Sequence, residues 1–188
     1  MSIFYLFFLM IVIQRLCELV IARWNERWMK NRGAIEFGQA HYRLIVFVHA
    51  MFFVVYFLEV TAWQTKLSAL WPVLLSIFIV TQVVRIWALT SLGHYWNTKI
   101  IVLPKATIVQ KGPYRFLKHP NYLVVTIEFI VIPMLFEAYF TAFFFTILNG
   151  IILSIRIPAE EKALNELTEY PISLLTKKRL NLKSLKKV

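Results

Sequence analysis

Cysteine is all but absent. Cys17 is the sole one in 188 residues, so no intrachain disulfide and no cysteine-based metal cluster can form. Set inside an apolar run, it reads as a small hydrophobe. Histidine is scarce as well: His41, His49, His94 and His119 have no spacing that suggests a metal site, and none is expected. Acidic residues number 10 against 21 Lys and Arg. The basic residues lie between and beyond the apolar runs, which argues against a nucleic-acid partner and for membrane topology determinants. Repeats and low-complexity segments are missing too. Met1–Ala22 has neither the basic start nor the small-residue cleavage site of a signal peptide, so it is expected to be a retained span.

What the chain has in abundance is apolar sequence. A hydrophobic share of 59% and a mean hydropathy of +0.64 are too high for a soluble globule of this length, and point to an integral membrane protein. A helix needs about 20 apolar residues to cross the hydrocarbon core. Ile3–Ile21, Leu44–Ala62 and Leu70–Leu89 meet that length. Leu123–Ile155 is too long for one span and too short for two with a loop, and Pro133 and Glu137 mark its middle. This predicts a tight hairpin of two short or tilted helices. The expected fold is therefore all-α, a single domain with about five spans: three helices in 1–90, then a catalytic half in 91–188. Lys and Arg crowd the first loop, the third loop and the tail, with only Lys66 on the opposite side. That asymmetry places the N-terminus outside and the basic segments in the cytoplasm.

Two polar islands interrupt the apolar background. The first is Gly112-Pro113-Tyr114-Arg115-Phe116-Leu117-Lys118-His119-Pro120-Asn121-Tyr122. Gly112-Pro113 calls for a turn, and Pro120 pushes His119 into an extended conformation at the start of a helix that favours anions. His119 reads either as a solvated capping residue or as part of a rigid ligand cradle. Upstream, Ile100–Leu103 reads as a short extended piece. The second island, Arg156-Ile157-Pro158-Ala159-Glu160-Glu161, predicts a kink or a new helix start at Pro158, with an Arg156–Glu160 pair one turn apart. Arg156 reads either as a snorkelling helix end or as a site residue. Arg15, Glu18, Arg85 and Glu128 sit within apolar runs, where isolated charges cost about 2.5 kcal/mol or more. They are expected to pair or to line a substrate tunnel.

Gly112-Pro113-Tyr114-Arg115, His119-Pro120-Asn121-Tyr122 and Arg156 followed by Glu160-Glu161 together resemble the isoprenylcysteine carboxyl methyltransferase family. Leu92-Gly93, Trp96 and Leu103-Pro104 resemble its small bacterial members. The likeness covers roughly 91–164, and Val124 stands where the family commonly has glycine. It implies S-adenosylmethionine as cofactor, held from the cytosolic side of a bacterial cell membrane. The cofactor-binding candidates are Gly112, Tyr114, His119, Pro120, Tyr122, Glu160 and Glu161. The two glutamates suit the cofactor's cationic sulfonium and amino groups. His119 and the helix start at Pro120 suit its carboxylate, and the tyrosines suit adenine. Arg156 and Glu160 are the catalytic candidates. Arg156, with Trp96 and Asn25 at the rim, would face the acceptor. The partner is a lipid-like small molecule, methylated on a carboxylate of isoprenylcysteine type or on an enol or phenol of alkylpyrone type.

Three rival readings compete. Phospholipid N-methylation would set an arginine against an ammonium, which it repels. An NADPH-dependent, steroid-type reductase would want a basic site for the cofactor phosphates. A non-catalytic membrane scaffold gives the polar residues no reason to cluster on one face.

Overall fold

Each apolar run becomes a helix, and most helices outgrow the run that predicts them. The computed structural model describes residues 1–168, the side chain of Ala40 excepted. The basic tail lies outside the described residues, as does Pro171, where the sequence predicts a helix stop. The helices are α1 (Ser2–Lys30), α2 (Gln39–Ala62), α3 (Trp71–Leu92), α4 (Pro120–Met134) and α5 (Tyr139–Leu167). Four of them, α1, α2, α3 and α5, are long and apolar enough to cross a membrane. The predicted hairpin is present as α4 and α5, joined through Glu137 at φ +53°. Its arms are unequal. The 15 residues of α4 reach only about 22 Å, short of the ~30 Å hydrocarbon core, whereas α5 runs for 29 residues.

Pro158 does not restart the last helix, because α5 is continuous through it. The proline removes one N–H donor. Beyond it the helix is held by packing: Ala159, Ala163, Leu164 and Leu167 lie against Ile100, Val102 and Phe37. Those contacts belong to a two-stranded antiparallel ribbon, β1 (Ile35–Phe37) with β2 (Ile100–Val102), in which Glu36 faces Ile101. The extended piece expected at Ile100–Leu103 is β2. Lys30 and Lys99 pair with Glu26 and Glu36 around the ribbon.

Aromatic rings fill the bundle. Phe4, Phe52, Tyr56, Phe129 and Phe145 are all buried, with Phe52 and Phe129 centroids 4.6 Å apart. Lipid tails are as apolar as these rings, so close packing rather than exclusion of water holds the helices together. Several buried polar groups pair across helices accordingly. The Tyr56 hydroxyl donates to the Ile132 carbonyl at 3.1 Å, near the end of α4. Glu59, near the end of α2, accepts from the backbone N–H groups of Phe140 and Thr141 at 3.0 and 2.8 Å and from the Thr141 hydroxyl. It thus caps α5 from another helix.

The four intramembrane charges pair with one another. Arg15 and Arg85 each bind both Glu18 and Glu128, joining α1, α3 and α4. Gln82 donates to Glu128 and Gln14 to Glu18. Pairing, one of the two roles expected for these charges, is present.

Candidate functional site

The chain brings the two islands together at one end of the bundle, where α4 begins and α5 passes. His119 caps α4 at φ −130°, ψ 67°, outside the helical region but short of the fully extended conformation its proline neighbour predicts, and Pro120 is the buried first residue of α4. One turn on, Tyr122 stacks on the His119 ring with centroids 5.2 Å apart. Facing them from α5 are Arg156, Glu160 and Glu161, spaced so that 156 and 160 share a face.

The Tyr122 hydroxyl joins the islands. It donates to Glu160 and accepts from Arg156 Nε at 2.8 Å. The direct Arg156–Glu160 pair expected from their spacing is absent among the described residues, because Tyr122 lies between them. Arg156 is 8% exposed, and its Nη2 donates to the Thr98 carbonyl in the loop before β2. One edge of the guanidinium is therefore committed to protein. Nη1 makes no hydrogen bond among the described residues. Glu161 accepts from Lys118 at 2.6 Å and approaches His119 Nε2 at 3.2 Å, while His119 Nδ1 lies 4.0 Å from Glu160.

The 3-10 turn Gly112–Arg115 closes the other side. Tyr114 accepts from Asn121 at 3.2 Å. Burial, reinforced by the Glu160 carboxylate, pushes the Tyr114 hydroxyl well above its ordinary range, so it stays protonated. Gly112 has φ +61°, and a Cβ there would sit 1.9 Å from Ser91 Oγ and 2.9 Å from Ser91 Cβ on α3. Gly112 therefore lets the turn press onto α3. Gly112→Ala is expected to lower stability by about 1–3 kcal/mol, through overpacking and a left-handed backbone unsuited to alanine. Thermal unfolding in detergent measures this; an unchanged midpoint would refute the close approach.

Two sequence candidates sit behind the cluster. Asn25 is buried on α1 and donates to the carbonyls of Trp96 and Gly93, at 2.8 and 3.3 Å. It fixes the turn that leads from α3 to Thr98. Trp96 is buried, and its Nε1 has no partner among the described residues. Thr98 and Tyr42, whose hydroxyls lie 3.2 Å apart, went unseen in the sequence. Thr98 acts through its backbone carbonyl, which carries no side-chain signal, and Tyr42 looks like any interfacial tyrosine. A cleft of about 440 Å³ lies at the opposite end of the bundle, lined by Phe4, Lys66 and Phe136 among others. None of the cluster borders it, and volume alone does not make it the site.

The model of the isoprenylcysteine carboxyl methyltransferase (ICMT) family matches residues 73–166, which include Thr98, the Gly112–Tyr122 island and Arg156 to Glu161. The chain belongs to that family. Membership makes it a membrane methyltransferase. It is 46% identical over 163 residues to the uncharacterised protein YpbQ of Bacillus subtilis (strain 168), an alignment spanning 87% of this chain and 97% of that one. An uncharacterised protein of Haemophilus influenzae (strain ATCC 51907 / DSM 11121 / KW20 / Rd) is 26% identical over 154 residues, 81% of this chain and 90% of that one. No solved structure matches.

Proposed function

We propose that this methyltransferase uses S-adenosylmethionine to methylate an oxygen of a lipid-like acceptor at the cytoplasmic membrane face. The observation that carries the reading is the hydrogen-bonded line Glu160–Tyr122–Arg156. It sets an acidic pole and a cationic pole side by side where a membrane helix meets water.

The acidic pole fits the cofactor. Glu160 and Glu161 keep side-chain exposures of 29% and 32%, so both carboxylates are available to a cationic amino group or sulfonium. His119 and the first turn of α4 suit its carboxylate. Tyr114 and Tyr122 supply rings for adenine, and the Trp96 indole N–H is a buried donor in need of a partner. When bound, the cofactor supplies the electrophilic methyl group.

The cationic pole fits the acceptor. Tyr122 and Thr98 hold Arg156 in one orientation, so the terminal edge of its guanidinium can align a carboxylate or an enolate oxygen. A carboxylate is already ionised near neutral pH and needs no base. For an enol or phenol, the same guanidinium favours the anion. A phospholipid amine would meet a like charge. In this reading the cluster end of the bundle faces the cytoplasm, as the Lys and Arg distribution requires. Thiol labelling at position 105 from outside intact cells would reverse that orientation.

The test is cofactor binding by the detergent-purified protein. Glu160→Gln, Glu161→Gln and His119→Ala are each expected to weaken S-adenosylmethionine roughly tenfold, the loss of one charge-assisted contact worth about 1.5 kcal/mol. Unchanged affinity in all three sinks this pocket, and tight NADPH binding in its place favours a reductase.

A further inference from the structure

Phe116 is the most exposed of the large hydrophobic residues among the described ones, at 76%, and Leu117 beside it is exposed too. In a water-facing loop that pair has no physical reason to persist. Its position supplies one. The turn that carries it is pressed onto α3 at Gly112, so closely that a Cβ added there would overlap Ser91 and come within 3.1 Å of Trp87 Nε1. Trp87 is itself 46% exposed and continues the outward face formed by Ile79, Val83 and Ile86, the face that α3 shows to lipid. Tryptophan at the end of such a face marks the boundary between acyl chains and headgroups. Gly112 thus fixes the turn at that depth.

Charge agrees with depth. Lys111 and Arg115 both precede the apolar pair and are exposed, and the Arg115 guanidinium lies 6.0 Å from the centre of the Phe116 ring. A cation beside an apolar ring, at the edge of a lipid-facing helix, is the arrangement of a side chain reaching for headgroups while its neighbour enters the tails. Leu123, in the first turn of α4, extends the exposed apolar strip beyond the turn.

We infer that the segment 111–117 is a membrane-interface anchor, with Phe116 and Leu117 in the acyl region and Lys111 and Arg115 on anionic lipid headgroups. The polar cluster then has water on one side and a turn embedded in lipid on the other. This does not depend on which reaction the site performs.

The test uses the full chain in vesicles of phosphatidylethanolamine and phosphatidylglycerol, in a Cys17→Ala background. Cys17 is exposed, as is Phe116, so neither substitution disturbs packing. An environment-sensitive dye is attached at Phe116→Cys and, for comparison, at Lys105→Cys. A nitroxide lipid labelled near the top of its acyl chain is expected to quench the dye at 116 several-fold more than at 105, with blue-shifted emission at 116. Equal nitroxide quenching at the two positions, with aqueous iodide reaching both, overturns the anchor. Exchanging phosphatidylglycerol for phosphatidylcholine is expected to reduce the quenching at 116, and no change would overturn the headgroup contact.

Discussion

Arg156→Ala is expected to cut methyl transfer by about a hundredfold while leaving S-adenosylmethionine binding in place. The guanidinium meets Tyr122 through Nε and the Thr98 carbonyl through Nη2, and in the proposed site its remaining edge meets the acceptor. Removing it takes away a charge-assisted contact that strengthens as the acceptor oxygen attacks. Such a loss is worth about 3 kcal/mol, on the order of a hundredfold in rate. Arg156→Lys is expected to recover little. One ammonium cannot hold two protein oxygens in fixed directions and still present a flat edge to a third group. The measurement is transfer of labelled methyl into extracted lipid, beside a cofactor-binding assay on the same preparation. Near-normal turnover in Arg156→Ala would reduce the residue to a helix end reaching for water. Parallel loss of binding and turnover would move it to the cofactor side.

The second large effect is on stability. Glu128 is 2% exposed and binds Arg15, Arg85 and Gln82. Glu128→Ala leaves two guanidinium groups with the single carboxylate of Glu18 between them, far from water. Breaking a buried pair in this way costs about 3–5 kcal/mol, enough to lower the yield of folded protein and its melting point in mild detergent. Glu128→Gln keeps the shape and an acceptor and is expected to fall between. Replacing Arg85 together with Glu128 by apolar residues of similar volume should cost less than Glu128→Ala alone, since the remaining Arg15–Glu18 pair is neutral. A double variant worse than the single would mean that the network's geometry, not its charge balance, holds the helices.

The sequence reveals these elements unevenly. Apolar length is a local property, so the helices are legible from composition, as is the hairpin from Pro133 and Glu137. The ends are less so. α1 runs on past its apolar run to Lys30, because polar residues such as Asn25 and Glu26 find partners on the loop before β2. Spacing puts Arg156 and Glu160 on one face but cannot show that a tyrosine 34 residues earlier lies between them. Pro158 signals a helix break only while tertiary packing is ignored, and the ribbon overrides it. Strand β1, of three residues, is too short to show alternation. The partners of Glu59 are backbone N–H groups more than eighty residues away, invisible to any side-chain pattern. The demand that Arg15, Glu18, Arg85 and Glu128 be paired is readable; who pairs with whom is a property of the bundle.

That cap has a bearing on where the enzyme can be cut. The segment shared with the family starts at residue 73, after Glu59, Arg15 and Asn25. An excised fragment would carry the whole polar cluster. Yet the first amides of α5 would lack an acceptor, Glu128 and Arg85 would lose Arg15 and Glu18, and the turn before Thr98 would lose its tie to α1. In hydrocarbon Glu128 and Arg85 have no water to fall back on. The recognisable half of the chain is thus not a transplantable module, and the two helices that precede it serve as its solvent.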